Sequence, residues 1–178
     1  MPLKGYPGLA NTAILIAERL PKCEFFVEPF AGHCSVAREM VRSGKVDEKN
    51  VYLSDLNPNA ISFCKYELPQ ANVYEANFED LIHRFKNIRG AIILIDPPWY
   101  PHKDTYSLTY SSTMSVLNYY STSIQILQDC KCRKVFVTQT RELFSKKILS
   151  KNFETEVLTN HKRKIFGRAA TVRVAFIL

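Results

Sequence analysis

Phe25-Phe26-Val27-Glu28-Pro29-Phe30-Ala31-Gly32-His33-Cys34-Ser35 is the stretch that decides the fold. An apolar run too short for a helix leads into a tight turn of small residues, and a helix start follows at Ser35. A strand feeding a glycine turn ahead of a helix is the opening unit of a doubly wound α/β sheet. In such sheets ligands sit beyond the carboxyl ends of the strands, where the strand order reverses. Gly32 lets backbone approach a ligand with no Cβ in the way. The stretch lacks the full G-x-G-x-x-G pattern, which favours a cofactor smaller than a dinucleotide. Glu28, Pro29, Phe30 and Gly32 are the candidate cradle residues.

Working outward, short apolar or β-branched runs recur at Glu24 to Glu28, Val51 to Ser54, Asn72 to Tyr74, Ala91 to Ile95 and Lys134 to Thr138. Helical segments separate them. Asn11 to Leu20 stops at Pro21, Ser35 to Arg42 follows the glycine turn, and Pro58 to Glu67 starts with proline behind Asn57 as N-cap. Strands alternating with helices predict a parallel sheet with right-handed crossovers. The C-terminal region differs. Thr155 to His161 and Thr171 to Leu178 both read as strands, and no helix fits in the basic loop Lys162 to Ala170 between them, so an antiparallel hairpin is expected. With no repeat, low-complexity tract or linker, residues 1–178 are expected to form a single domain.

Composition bounds the class. At 46% hydrophobic and 23% charged the chain is neither disordered nor membranous, and no apolar run is long enough to span a bilayer. The first residues carry no charged-then-apolar export pattern, so a cytoplasmic location is expected. The five cysteines are an odd, scattered set, and Cys130-Lys131-Cys132 is too tightly spaced for a zinc knuckle, so reduced thiols and no metal are expected. The net charge is +7, with basic residues clustered at Arg141 to Lys151 and at Lys162, Arg163, Lys164, Arg168 and Arg173, an excess that favours polyanionic partners.

Three further segments carry chemistry. Asp55 ends the second strand, where a carboxylate can accept bonds from both hydroxyls of a ribose. Asn77-Phe78 follows the third strand, where an aromatic ring can pack on a purine face while a polar neighbour reads its edge. Ile93-Leu94-Ile95-Asp96-Pro97-Pro98-Trp99-Tyr100 is the most informative. A buried strand delivers a carboxylate to the sheet edge, and two prolines, which have no N–H to donate, hold carbonyls outward as free acceptors. The lone pair of an aromatic amine is delocalised into its ring, which makes it a poor nucleophile. Asp96 and the Pro97 carbonyl can each accept one of its N–H groups, favour the pyramidal nitrogen and hold it for in-line attack on an activated methyl group. Asp96 can also take the proton. Trp99, the only tryptophan, can stack on an extruded base. Asp96, Pro97, Pro98 and Trp99 are therefore the candidate catalytic residues.

At these residues the chain resembles the Dam-type adenine-specific DNA methyltransferases. The resemblance is carried by Phe26-Val27-Glu28-Pro29-Phe30-Ala31-Gly32, Ser54-Asp55-Leu56-Asn57-Pro58, Asn77-Phe78-Glu79 and Asp96-Pro97-Pro98-Trp99, with a weaker echo in Lys4-Gly5-Tyr6-Pro7-Gly8. It implies a Rossmann-like methyltransferase fold and S-adenosyl-L-methionine as cofactor. Tyr6, Gly8, Glu28, Gly32, Asp55 and Phe78 would contact that cofactor, with Asn77 and Asp96 beside them, and Asp96, Pro97 and Trp99 would hold the adenine. Leu9-Ala10 stands where the family usually continues with Gly-Lys, and Trp99 replaces the usual tyrosine. Between the Asn77-Phe78 and Asp96 motifs, only a short helix, Asp80 to Arg89, fits where the family carries its target-recognition segment. The resemblance therefore implies a minimal form, with recognition reduced, relocated or supplied by a partner subunit or a homodimer.

Two segments are candidates to replace it. Pro101 to Tyr120, rich in Tyr, Ser and Thr, reads as a flap over the substrate, with Tyr100, Lys103, Tyr106 and Tyr110 suited to stacking and phosphate contact. Lys162, Arg163, Lys164 and Arg168 offer four cations to a phosphate backbone at the hairpin. The same chemistry on RNA, where looped adenines need less extrusion, is the rival enzymatic reading. A non-catalytic nucleic-acid-binding relic of the fold is the rival of a different class. Methylation of a side-chain amide is the third, although such sites usually show Asn-Pro-Pro.

Overall fold

In the computed structural model, residues 10–97, 116–138, 156–157, 161–165 and 168–177 are described, with side chains for 12–97 and 118–137. The elements run α1 (Ala10–Arg19), β1 (Phe25–Glu28), α2 (Ser35–Arg42), β2 (Val51–Asp55), α3 (Pro58–Glu67), β3 (Asn72–Glu75), α4 (Phe78–Phe85), β4 (Ala91–Ile95), α5 (Val116–Leu127), β5 (Arg133–Thr138), β6 (Glu156–Val157), β7 (His161–Ile165) and β8 (Arg168–Ile177). The strand order is β3-β2-β1-β4-β5-β8-β6. β1 to β5 are mutually parallel. The chain moves outward from β1 to β3 and then returns to lay β4 on the other side of β1, so the order reverses between β1 and β4. That crevice is where a doubly wound sheet takes its ligand.

The period of two along each strand sorts the core into two layers. Phe26, Leu53, Ile92, Leu94, Val135 and Val137 pack with Ile16 of α1, Leu20 just beyond its end, Met40 of α2 and Cys64 of α3. Val27, Ile93, Ile95 and Phe136 pack with Phe78, Leu81, Ile82 and Phe85 of α4 and with Tyr119, Ile124 and Leu127 of α5. β4, Ala-Ile-Ile-Leu-Ile, is buried along its whole length because both faces are covered by helices and both edges by strands. β3, at the sheet edge, is half-buried to exposed.

Local chemistry sets the helix ends. The Asn57 side chain accepts from the Asn59 N–H at 2.9 Å, and Pro58 opens α3, as the sequence predicts. Lys45 closes α1 from a distance. Its ammonium donates to the carbonyls of Ala17, Glu18 and Leu20 at 2.6–2.7 Å, placing a cation where the helix dipole is negative.

Two expectations need revision. The last residues of the stretch read as a flap, Val116 to Tyr120, open α5, and Tyr119 and Tyr120 are buried, at 5% and 4% exposure. Hydroxyl-rich composition concealed a helical period in which Tyr119, Tyr120, Ser123, Ile124 and Leu127 share the inward stripe. The basic segment expected to be a loop is largely strand. The backbones of Lys162, Arg163, Lys164 and Ile165 pair antiparallel with Thr171, Ala170, Ala169 and Arg168. Ladder hydrogen bonds use the main chain alone, so a run of cations does not prevent pairing. β8 also pairs antiparallel with β5 and β6.

Candidate active site

The cradle is built by β1 and the turn beyond it. Glu28 and Asp55 end neighbouring strands and are each 2% exposed. Asp55 braces the turn: its Oδ2 accepts from the Gly32 N–H and its Oδ1 from the Asn57 N–H, both at 2.9 Å. The Ala31 N–H donates to the Ser54 carbonyl at 2.9 Å, the Ser54 hydroxyl to the Pro29 carbonyl at 3.2 Å, and the Cys64 thiol to the Gly32 carbonyl at 3.6 Å. The carboxyl end of β2 and the second turn of α3 thus hold Pro29 to Gly32 in one conformation. Gly32 sits at φ +47° and Cys34 at φ +43°, ψ +36°. Glycine takes the first value freely, whereas a side chain costs about 1–2 kcal/mol at the second. Cys34 is fully buried, so close packing holds that conformation in place.

The electrostatics of the crevice are acidic. β4 lies beside β1 with Val27 opposite Ile93, so Asp96 emerges from the strand adjacent to Glu28. Strand alternation puts Glu28, Asp55 and Asp96 on the α1–α3 side of the sheet. Burial pushes the Glu28 carboxyl well above the ordinary carboxylate range. Cys34, Asp96 and Asp55 push it further the same way, against one bond from the Ala37 N–H at 3.4 Å. Glu28 thus lies beside two other carboxyl groups in a setting that disfavours its charged form. A cationic ligand fits that set, because a positive charge offsets both the burial and the mutual repulsion that disfavour charged carboxylates there.

The expected residues divide clearly. Glu28, Pro29, Phe30, Gly32, Asp55, Asp96 and Pro97 converge on the carboxyl ends of β1, β2 and β4. Asn77 precedes α4 and is exposed, with no side-chain cap bond to the helix. Phe78 is 3% exposed, stacked on Phe30 at 4.8 Å between centroids, and Tyr119 meets both rings edge-on at 5.6 Å. In this arrangement Phe78 supports the cradle from behind through Phe30. Tyr6, Gly8, Pro98, Trp99, Tyr100, Lys103, Tyr106 and Tyr110 lie outside the described residues, as do the side chains of Lys162, Arg163, Lys164 and Arg168. Sequence reasoning assigned no role to Ser54, Cys64 or Tyr119. Ser54 stood inside a quoted motif, whereas Cys64 and Tyr119 gave no local signal, because each acts across at least 30 residues of chain.

The family model for D12 class N6 adenine-specific DNA methyltransferases matches residues 11–87, from α1 through the end of α4. No curated protein sequence matches the chain. Among solved structures, TrmN from Thermus thermophilus superposes with a TM-score of 0.61 at 19% identity, over 96% of this chain and 48% of its own. The chain thus spans about half the length of TrmN. An rRNA methylase from Streptococcus thermophilus superposes with a TM-score of 0.57 at 15% identity, covering 99% of each chain. Sp1610 from Streptococcus pneumoniae, solved in complex with S-adenosyl-L-methionine, does so with 0.60 at 13%, over 94% of this chain and 72% of its own. At these identities the shared property is the fold, and it is the Rossmann-like methyltransferase fold.

Proposed function

We propose that the protein is an S-adenosyl-L-methionine-dependent methyltransferase that modifies the N6 amino group of adenine in DNA. The observation that carries this reading is the position of Asp96-Pro97 at the carboxyl end of β4, directly beside the acidic cradle that ends β1. The D12 class match over residues 11–87 supports it independently of Asp96, which lies outside the matched range.

When bound, S-adenosyl-L-methionine supplies an electrophilic methyl group on a cationic sulfur. Gly32, Glu28 and Asp55 hold the cofactor, with the Pro29–Gly32 turn fixed in advance by Asp55 and Ser54. Tyr6, Gly8 and Asn77 complete its contacts in this reading. Asp96 and the Pro97 carbonyl accept the two N–H groups of the adenine amine, and Asp96 takes up the proton released on methylation. Pro98 stiffens the turn and Trp99 stacks on the flipped base. Lys103, Tyr106, Tyr110 and the basic strand pair carrying Lys162, Arg163, Lys164 and Arg168 meet the phosphate backbone. The protein works as a single cytoplasmic catalytic domain, with sequence recognition shared with a partner subunit or a second copy.

RNA is the second reading. Only five residues, 86–90, join α4 to β4, which leaves no inserted segment there to read a duplex. Incubation with methyl-labelled cofactor and duplex DNA, single-stranded DNA or RNA, with Asp96→Ala as control, tests both. N6-methyladenine in duplex DNA, lost in the variant, is the expected result. Label confined to RNA or single strands would transfer the protein to the second reading. Absence of cofactor binding by calorimetry would overturn both and leave the non-catalytic binding module.

A further inference from the structure

A second chemical site lies at the opposite edge of the sheet. Cys130 and Cys132 occupy the turn between α5 and β5, at the amino ends of the parallel strands, about 15 Å from their carboxyl ends by the rise of a five-residue strand. The turn is clamped. The N–H groups of Lys131 and Cys132 both donate to the Lys86 carbonyl, at 2.9 and 3.1 Å, where α4 ends. The clamp brings the two sulfur atoms to 3.2 Å, in hydrogen-bond contact, and the Cys130 sulfur to 3.7 Å from the Cys132 carbonyl. Cys130 is half-buried and open to solvent, whereas Cys132 is 5% exposed behind it.

The two thiols are chemically unlike. The bond from Cys132 and the ammonium of Lys134, working against burial, bring the Cys130 thiol down to about 6, while Cys132 is raised. Burial pushes Cys23, half-buried elsewhere, up to about 11. A solvent-facing thiolate in contact with a protonated thiol is the pairing that thiol–disulfide exchange requires.

We propose that Cys130 and Cys132 form an exchange site for small disulfides of the glutathione type, with Cys130 attacking and Cys132 resolving. The Cys130 thiolate bonds to one sulfur of the oxidant, whose S–S bond breaks and releases a thiolate that takes a proton from solvent. The Cys132 sulfur then attacks Cys130 in the mixed disulfide. The Cys130–Cys132 bond forms, and the second small thiol leaves with the Cys132 proton. Two electrons pass from the protein dithiol to the oxidant, which leaves as two thiols. A ring closed across one intervening residue is strained, so excess reduced thiol reverses it.

The test uses the full chain and oxidised glutathione, read by intact mass and peptide mapping. The wild type is expected to lose two hydrogens at the Cys130–Cys132 peptide and to retain no glutathione. Cys132→Ser is expected to trap one glutathione on Cys130, and Cys130→Ser to leave Cys132 unmodified on the same timescale. Alkylation of Cys130 is expected to titrate with a midpoint near 6. At pH 7 it should run on the order of 100-fold faster than at Cys23, after allowing for the weaker nucleophilicity of a low-pKa thiolate, and urea should abolish the difference. Stable glutathionylation of the wild type, failure of Cys132→Ser to trap, or a Cys130 midpoint in the ordinary thiol range would each overturn the proposal.

Discussion

Asp55 has two tasks that compete for the same oxygens. The sequence assigns it to a ribose, and in the fold each carboxylate oxygen already accepts one backbone N–H. A carboxylate oxygen has a second lone pair, so one group can brace the turn and bind a ligand together. Asp55→Ala leaves two buried donors unpaired and is expected to destabilise the cofactor-free protein by about 2–4 kcal/mol in urea denaturation, with Asp55→Asn losing about half as much. Glu28 provides a test by pH. Its folded-state value lies above the unfolded one, so the native protein binds the extra proton. Its contribution to stability is full below the usual value of 4.5 and falls as pH rises toward the folded value. Thermal melts of Glu28→Gln should therefore show a flatter decline above pH 5 than the wild type. Binding of a cationic cofactor should release a proton in the wild type and not in Glu28→Gln, as calorimetry in buffers of different ionisation enthalpy would show.

At the scale of elements, α5 is the piece the sequence concealed. Its first residues read as the end of a flap because the stretch is rich in Tyr, Ser and Thr, yet Tyr119 packs on Phe30 and Phe78, and the Tyr120 hydroxyl donates to the Val137 carbonyl near the end of β5. That bond ties α5 to the strand bordering the antiparallel region. Tyr120→Phe keeps the packing and removes one buried bond, for an expected loss of about 1 kcal/mol. Faster amide exchange confined to α5 and β5 would accompany it. By contrast, α2, α3 and β4 were legible to the residue. Each is bounded by a glycine turn, a capped proline or a Pro-Pro stop, signals that act within a few residues.

For the whole molecule, a net charge of +7 is combined with an acidic crevice. The two need not conflict when the cations meet phosphates outside the crevice while the carboxyl groups hold a cationic ligand and an amine within it. If β7 supplies such contacts, Lys162→Gln with Lys164→Gln should lower the slope of log K against log salt for duplex binding by about 2, and weaken all sequences alike. An unchanged slope would place the nucleic acid elsewhere on the surface.

The sequence by itself determined the strand–helix alternation, the glycine turn after β1 and the carboxylates at the ends of β1, β2 and β4. Those features are written in local period, capping and breaker residues. Only the tertiary structure decided that the order reverses between β1 and β4, bringing Asp96 beside Glu28. It alone decided that Tyr119 and Phe78 back the cradle, that Ser54 and Cys64 pin its turn, and that Cys130 and Cys132 face each other over the end of α4. Each of these depends on surfaces brought together by burial of the two apolar layers against the sheet. Contacts of that kind leave no periodic trace in either partner's own stretch of chain.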